Sequence, residues 1–153
     1  MMRKKEKVIT MTVTLILVVI LICIKVTHFV IIERPLKQCR IVSAYHLTVD
    51  TNGAQIDQSW LFEKDDLTYI DIAKTFEQTY FVTDYGDSGA LNELTIAFGE
   101  TMDGMPDIRI TVSENGYIQI NGKRAYPLSL KYAGNRLYGH LLECLQDGAD
   151  RQQ

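Results

Sequence analysis

Cysteine and histidine are the side chains most often used to ligate metals or activate nucleophiles, and the chain has three of each. His140 and Cys144 are four positions apart, a spacing that places two side chains on one helix face within reach of one ion. A structural zinc site needs four ligands, whereas Cys39 and His46 are distant in the sequence. The chain also lacks a Gly-rich phosphate loop and a dinucleotide fingerprint. We therefore predict no metal site and no cofactor.

Cys39 and Cys144 are the two cysteines that follow the N-terminal apolar segment. In an oxidising compartment they form a possible disulfide, which would close a loop of about 100 residues and add about 4–5 kcal/mol of stability. The alternative is a free thiol at Cys39 and a small core residue at Cys144. Sequence does not give the separation of the two Cα atoms, so both interpretations stay open.

Ser88 lies in the segment 86–89, Gly-Asp-Ser-Gly, which resembles the nucleophile segment of chymotrypsin-like serine proteases. That chemistry needs a histidine base and an orienting aspartate, held by a double β-barrel much longer than this chain. His28 and His46 precede Ser88, and His28 lies beside the apolar segment. We expect a turn-rich loop here, because Gly and Asp are common turn formers. The alternative is a hydrolase site assembled from Ser88, His46 and surrounding aspartates.

Residues 50–53, Asp-Thr-Asn-Gly, begin like the calcium loop of an EF-hand. An EF-hand requires Gly at the sixth position and Glu at the twelfth, where this chain has Gln55 and Leu61. Asp65 and Asp66 have a local role instead, since acidic residues favour the start of a helix. We predict a hairpin turn at 50–53 and no pair of catalytic carboxylates.

The composition of the 153 residues, 46% apolar and 23% charged, fits one ordinary globular domain and excludes collagen, a coiled coil and a disordered tail. The charge is unevenly distributed. Residues 1–32 carry five basic residues and one acidic residue, whereas residues 33–153 carry eleven basic and eighteen acidic residues, a net charge of −7. Because phosphates repel such a region, we predict no nucleic-acid partner. Anionic lipid headgroups are disfavoured too, unless Lys123 and Arg124 form a local basic patch.

Residues 8–24 form an uncharged run rich in Leu, Ile and Val, without Gly or Pro. As a helix this run is about 26 Å long, slightly shorter than a hydrocarbon core of about 30 Å. Lys25 can extend its ammonium to the headgroups, so the helix can continue to Ile32. We predict a transmembrane helix over 7–32, because a helix satisfies its own backbone hydrogen bonds in lipid. Lys25 and His28, three apart on one helix face, are interpreted as interfacial residues.

A cleaved secretory signal peptide would share the basic start and apolar run, but it needs small residues one and three positions before the cut. Residues 25–32, Lys-Val-Thr-His-Phe-Val-Ile-Ile, offer no such site. Lipidation of Cys23 would need a small preceding residue, where the chain has Ile22. We therefore predict an uncleaved signal anchor in the cell membrane, with a single pass. The basic residues before it favour a cytoplasmic N-terminus and an extracytoplasmic region over 33–153.

This interpretation divides the chain into five parts. Pro35 is expected to end the membrane helix, and about 120 residues then remain for a single hydrophobic core. The parts are a cytoplasmic basic segment over 1–6, a transmembrane helix over 7–32, a tether over 33–38, an extracytoplasmic domain over 39–148 and a tail over 149–153.

The first half of the predicted domain contains two strands and a helix. Residues 40–50 and 55–63 are rich in β-formers and flank a turn, so they predict a hairpin. Apolar residues at three- and four-residue steps then predict a helix over 66–79, with Asp65 as its N-cap.

The second half predicts a meander of about four strands and a final helix. Asn115-Gly116 and Asn121-Gly122 are typical hairpin turns, and Asn-Gly suits both positive φ positions of a type I′ turn. Leucines at helical spacing after Asn135 predict a short final helix. Asn135 is its candidate N-cap, and Gly148 is expected beyond its end. The order predicts an α+β fold, an antiparallel sheet covered by one or two helices.

The chain has a family likeness in its last hairpin. This hairpin has the pattern Ile118-x-Ile120-Asn121-Gly122-Lys123 and is followed by Tyr126 and a Leu-rich helix. Over about residues 40–145 it resembles small membrane-anchored or lipoprotein-like extracytoplasmic domains of Gram-positive bacteria, which often run through an early hairpin, one helix and a late meander. The resemblance implies location and fold, and it carries no catalytic residue.

These observations predict a non-enzymatic, membrane-anchored domain that binds or modulates another component of the cell envelope. Its partners would be the membrane, through the N-terminal helix, and an envelope protein, through aromatic and amide side chains around Tyr80, Phe81, Tyr85 and the 117–126 hairpins. The alternatives are the envelope hydrolase described above and an accessory subunit recognised through its membrane helix. The sequence predicts no oligomeric state.

Overall fold

The N-terminal part of the chain is one long helix in the computed structural model, which describes residues 4–50, 53–83, 92–101 and 104–152. Helix α1, Lys4–His28, continues through a π-helical turn, Phe29–Glu33, into helix α2, Arg34–Gln38. The apolar side chains of α1 are exposed along most of its length. By length and composition, this is the one helix in the described part of the chain that could cross a membrane.

The helix continues past Pro35, where we expected it to end. A proline inside a regular helix removes one backbone donor and clashes with a carbonyl of the preceding turn. Here the π-helical turn precedes the proline, and the backbone N–H of Arg34 donates to the carbonyl of Phe29, five residues back. Pro35 then occupies the first turn of α2, where a missing N–H is tolerated best. Residues 33–38 are therefore helical and not an extended tether.

A seven-stranded sheet follows, and its strands have the order β2-β1-β4-β5-β6-β7-β3. Every neighbouring pair is antiparallel. The strands are β1 Ile41–Asp50, β2 Gly53–Glu63, β3 Phe81–Thr83, β4 Glu93–Gly99, β5 Ile108–Ser113, β6 Ile118–Ile120 and β7 Lys123–Pro127. The early hairpin and the late meander are thus present, and the predicted α+β class is confirmed.

Two turns show how far local chemistry determines the sheet. Asn121 and Gly122 have φ values of 49° and 79°, so this turn places both residues in the left-handed region expected of a type I′ hairpin. Gly116 has a φ of 86°, but Asn115 has no positive φ. The turn at Asn115-Gly116 is therefore not of type I′, although it also joins two antiparallel strands. The tip of the first hairpin at 51–52 lies outside the described residues.

Strand β3 was missed in the sequence analysis. It pairs through Phe81, Val82 and Thr83 with the end of β7, at the edge of the sheet. A three-residue strand is too short to show a period-two pattern, so local sequence gives no signal for it. Residues 84–91, which include Tyr85 and the segment around Ser88, lie outside the described residues.

The two domain helices differ from expectation mainly at their ends. Helix α3, Leu67–Glu77, is capped by Asp66 rather than Asp65, because the Asp66 carboxylate accepts a hydrogen bond of 2.7 Å from the Thr68 backbone N–H. A 3₁₀ turn, Leu130–Tyr132, precedes helix α4, Arg136–Gln152. The predicted tail over 149–153 is thus helical as far as Gln152.

The core lies between the sheet and the two domain helices. Phe98 of β4 makes edge-to-face contacts with Tyr69 and Phe76 of α3, at ring-centroid distances of 5.8 and 6.0 Å. On the same face, α4 contributes leucines that are fully buried. The end of the N-terminal apolar helix also belongs to this core, through Ile32, Leu36 and the adjoining Cys39. The leucines of α4 in the core are Leu137, Leu141 and Leu145.

Gly148 is buried inside α4 rather than beyond its end, and a Cβ there would overlap the side chains of Thr68 and Phe62. We expect Gly148→Ala to destabilise the domain by about 1–3 kcal/mol, because this overlap outweighs the gain of about 1 kcal/mol in helix propensity. The matched control is Gly139→Ala on the same helix, where a Cβ meets open space and stability should rise. Urea unfolding in detergent, followed by near-UV circular dichroism, measures both. Equal changes for the two variants would contradict this packing.

Candidate binding site

The β6–β7 hairpin presents two different surfaces because side chains alternate between the faces of a strand. Lys123 and Ala125 lie on the inner face, where Ala125 is paired with Ile118 in the core. Arg124 and Tyr126 lie on the outer face. Lys123 and Arg124 therefore do not form the single basic patch considered from the sequence. Each instead lines a separate cavity.

The outer cavity, which we call the tyrosine cleft, has a volume of about 320 Å³. The Arg124 guanidinium carbon lies 5.2 Å from the ring centroid of Tyr117 and 5.3 Å from that of Tyr126. Arg124 Nη2 also donates a hydrogen bond of 2.8 Å to the Tyr126 hydroxyl. These contacts hold a planar cation between two aromatic rings, as in cation–π stacking. The residues lining the tyrosine cleft are Asn115, Gly116, Tyr117, Arg124, Tyr126, Pro127, Ala133 and Gly134.

The base of the tyrosine cleft depends on a close approach between two backbones. A Cβ on Gly116 would lie 2.6 Å from the carbonyl carbon of Gly134, which is closer than real side chains allow. Gly116 also has a positive φ of 86°, which favours glycine. Glycine at this position thus lets the turn before β6 contact the segment before α4, and this contact shapes the cleft.

The inner cavity, which we call the junction cavity, has a volume of about 350 Å³ and lies between the N-terminal apolar helix and the sheet edge. His28 lines it and is 3% exposed, so it is a buried residue and not the interfacial one we expected, whereas Lys25 is exposed. His28 Nε2 donates to the carbonyl of Glu77 at 2.9 Å and lies 3.5 Å from Glu33 Oε1. Its ring also packs on Tyr80, at a centroid distance of 4.5 Å.

His46 forms a polar row with residues that the sequence analysis did not connect to it. A bulge in the β1–β2 pairing, after His46, leaves Asp57 as an extra residue. Asp57 Oδ2 lies 3.5 Å from His46 Nδ1, and a hydrogen bond of 2.7 Å joins His46 Nε2 to the Tyr138 hydroxyl on α4. Ser88, the proposed hydrolase partner of His46, lies outside the described residues.

This row contains a carboxylate, an imidazole and a hydroxyl in the order of a catalytic triad, but its chemistry differs. The hydroxyl is a phenol, and burial raises the pKa of Tyr138, which disfavours the phenolate that would act as a nucleophile. The row joins β2, β1 and α4 across the interface between sheet and helix. It therefore acts as a polar contact between the two layers, buried at His46 and open to solvent at Asp57.

His140 and Cys144 are neighbours on α4, as the spacing predicted, but their surroundings do not suit a metal or a reactive thiol. His140 Nε2 makes a hydrogen bond of 3.1 Å with the Thr75 hydroxyl. Burial, with the charge of Lys131, lowers the pKa of His140, and burial raises the pKa of Cys144, so the thiol stays protonated. In the described part of the chain, no three His, Cys, Asp or Glu residues cluster as metal ligands.

Cys39 is a buried free thiol at the end of α2, and Cys144 is a half-buried free thiol on α4, so the two are not bridged in this structure. Cys39 Sγ donates to the Pro35 carbonyl at 3.2 Å and lies 3.6 Å from Asp107 Oδ2. Burial and the negative charge of Asp107 raise the pKa of Cys39 to about 12. Such a thiol carries almost no thiolate at neutral pH and reacts slowly.

Thiol titration of the full chain in detergent, without reductant, tests this arrangement. We expect all three cysteines to react after denaturation, and Cys39 to stay unmodified in the folded protein at pH 8, because it is buried and protonated. The control is Cys39→Ser, which should lower the denatured count by one and leave the folded count unchanged. A denatured count of one thiol, falling to zero in Cys23→Ser, would instead establish the Cys39–Cys144 disulfide.

Comparison with known proteins gives no match to this chain, whether with protein-family models, with curated proteins or with solved structures.

Proposed function

We propose that the protein is a single-pass membrane protein whose α+β domain lies outside the cytoplasm and binds or modulates another envelope component without catalysing a reaction. The observation that carries this proposal is the continuity between the apolar helix and the domain. A helix of the length and composition needed to cross a membrane runs to Gln38, and its last turns contribute Ile32 and Leu36 to the core. The domain would thus be held directly at the membrane surface.

The charge distribution supports the orientation. Lys5 and Lys7 precede the apolar run, and Glu6 is the acidic residue among them. Basic residues beside a membrane helix favour the cytoplasmic side, so the acidic domain would lie on the opposite side. An acidic net charge also keeps such a domain soluble beside the anionic membrane surface.

The tyrosine cleft is the surface best suited to a protein partner. Tyrosine and arginine are enriched among the residues that dominate binding energy at interfaces. Tyr126 is 45% exposed, and Arg124 holds it at a fixed position beside Tyr117. A preorganised aromatic side chain loses little conformational entropy when a partner binds. The cleft is therefore a better candidate contact than the scattered apolar residues elsewhere on the domain.

Orientation can be tested with single cysteines in a Cys23→Ser, Cys144→Ser background. We expect Leu130→Cys to react with a membrane-impermeant maleimide on intact cells, because Leu130 is 87% exposed on the domain. Lys5→Cys, on the other side of the apolar run, should react only after the membrane is permeabilised. The opposite pattern, or no labelling of Leu130→Cys until permeabilisation, would place the domain in the cytoplasm.

Partner binding can be tested by photo-crosslinking in intact cells. We expect a benzoylphenylalanine in place of Tyr126 to form a specific adduct with one envelope protein. The control is the same substitution at Ile56, an exposed apolar residue on the edge strand β2, far from the cleft in the strand order. Tyr126→Ala should weaken binding of the captured partner by about 2 kcal/mol, or about 30-fold, if Tyr126 is a dominant contact.

Equal adducts from the two positions, or none from Tyr126 in repeated experiments, would contradict a specific contact at the tyrosine cleft. An unchanged affinity for the Tyr126→Ala variant would move the binding surface elsewhere on the domain. Neither result affects the orientation measured with the single cysteines, so the anchor and the cleft are tested separately.

A further inference from the structure

The junction cavity is a second, separate site, on the inner face of the β6–β7 hairpin. Its volume of about 350 Å³ falls within the range of small-ligand sites. Apolar side chains form most of its wall, and they come from both the membrane helix and the sheet edge. Ile24 and Ile31 line it on the helix side, and Phe81, Val82 and Ile120 line it on the sheet side.

The position of the helix wall indicates what can enter. Cys23 and Ile24, the last two residues of the apolar run, line the cavity together with Thr27, so the cavity lies near the outer end of the membrane-spanning segment. Val26 and Val30, on the same turns of the helix, are exposed apolar residues suited to contact with lipid. If the helix spans the membrane as proposed above, the cavity opens at the boundary between the outer leaflet and water.

Lys123 places a positive charge at this cavity. It is the last member of a row of cross-strand neighbours whose other members are all apolar. The cross-strand row from the sheet centre runs Ala44–Ile96–Ile110–Ile120–Lys123. The four apolar members are buried, whereas Lys123 is exposed and lines the cavity. No acidic side chain within the described ranges forms an ion pair with Lys123. A cation beside an apolar cavity matches an amphiphile with an anionic head.

His28 lines the same cavity but offers it no accessible hydrogen-bonding atom. Its Nε2 donates to the Glu77 carbonyl, and its Nδ1 is enclosed by the surrounding protein atoms. The Lys123 ammonium is therefore the group that selects the charge of a bound headgroup.

We propose that the junction cavity binds one anionic glycerolipid of the outer leaflet, and this inference rests on the proposed membrane anchor. An acyl chain packs against the apolar wall, and the phosphate contacts the Lys123 ammonium. Phosphatidylglycerol has both an acyl chain and a net negative charge, whereas phosphatidylcholine has no net charge. The cavity therefore distinguishes these two lipids.

The full-length protein, reconstituted in vesicles of equal amounts of phosphatidylglycerol and phosphatidylcholine, provides the test. Native mass spectrometry after extraction should show one retained lipid, with phosphatidylglycerol preferred. Lys123→Gln should lower this preference about fivefold, which corresponds to ~1 kcal/mol for one lysine beside an anionic lipid headgroup. The matched control is Arg124→Gln, which makes the same charge change on the opposite face of the hairpin and should leave the preference unchanged.

A second pair of variants tests the apolar part of the site. Thr27→Trp should fill the cavity and abolish lipid retention, whereas Val26→Trp, on the exposed face of the same turn, should leave it intact. Competition with glycerol phosphate should not displace the lipid, because it lacks an acyl chain. Displacement would mean that the site binds the free phosphate compound instead.

Several results would overturn the proposal. They are the absence of a retained lipid in the wild-type protein, an equal loss of preference in Lys123→Gln and Arg124→Gln, and a protein dimer in place of a lipid adduct. Failure of the protein to insert into vesicles would instead overturn the membrane anchor on which the inference rests. The two failures are thus distinguishable in one experiment.

Discussion

The burial of the last turns of the N-terminal apolar helix in the domain core is the constraint on which the rest of the structure depends. Ile32 and Leu36 are almost completely inaccessible to solvent, although they follow a segment whose apolar side chains are exposed. One helix therefore meets two apolar environments in succession, an exposed surface suited to lipid and then a protein core. Because these turns pack with the sheet and α3, the helix and the domain form one folded unit.

The charge of the domain is organised by strand geometry and not by sequence neighbourhood. Arg124 and Lys123 are adjacent in the chain, yet they lie on opposite faces of one strand and line different cavities. The guanidinium packs between two tyrosine rings, which suits contact with a protein surface. The ammonium ends a buried apolar row. The net charge of −7 over residues 33–153 therefore does not indicate the positive charge at either cavity.

Much of the fold could be predicted from the sequence because local chemistry determines it. The Asn121-Gly122 turn, the early hairpin and the periodic helix α3 each carry a signal within a few residues. The errors lie where tertiary contacts decide. The sequence pattern predicts a helix end at Gly148. In the structure this glycine lies inside α4, because Thr68 packs too closely to leave room for a Cβ.

The sites were harder to predict than the fold for the same reason. His28 reads as an interfacial residue, yet contacts with Glu77 and Tyr80, which are about fifty positions away, bury it. The row through His46 depends on a bulge that no sequence pattern marks. The aromatic surface around residues 117–126 was anticipated in outline, because alternation along a short hairpin is a local property. Its division into two cavities was not anticipated, since one of them is completed by the N-terminal apolar helix.

The π-helical turn at Phe29–Glu33 adds a mechanical consequence. One residue more or less in a helix changes the angular position of everything beyond it by about 100°. No loop separates this turn from the core. The number of residues in the turn therefore sets the direction in which the sheet faces around the helix axis. A rotation of the helix about its own axis would therefore rotate the whole domain by the same angle.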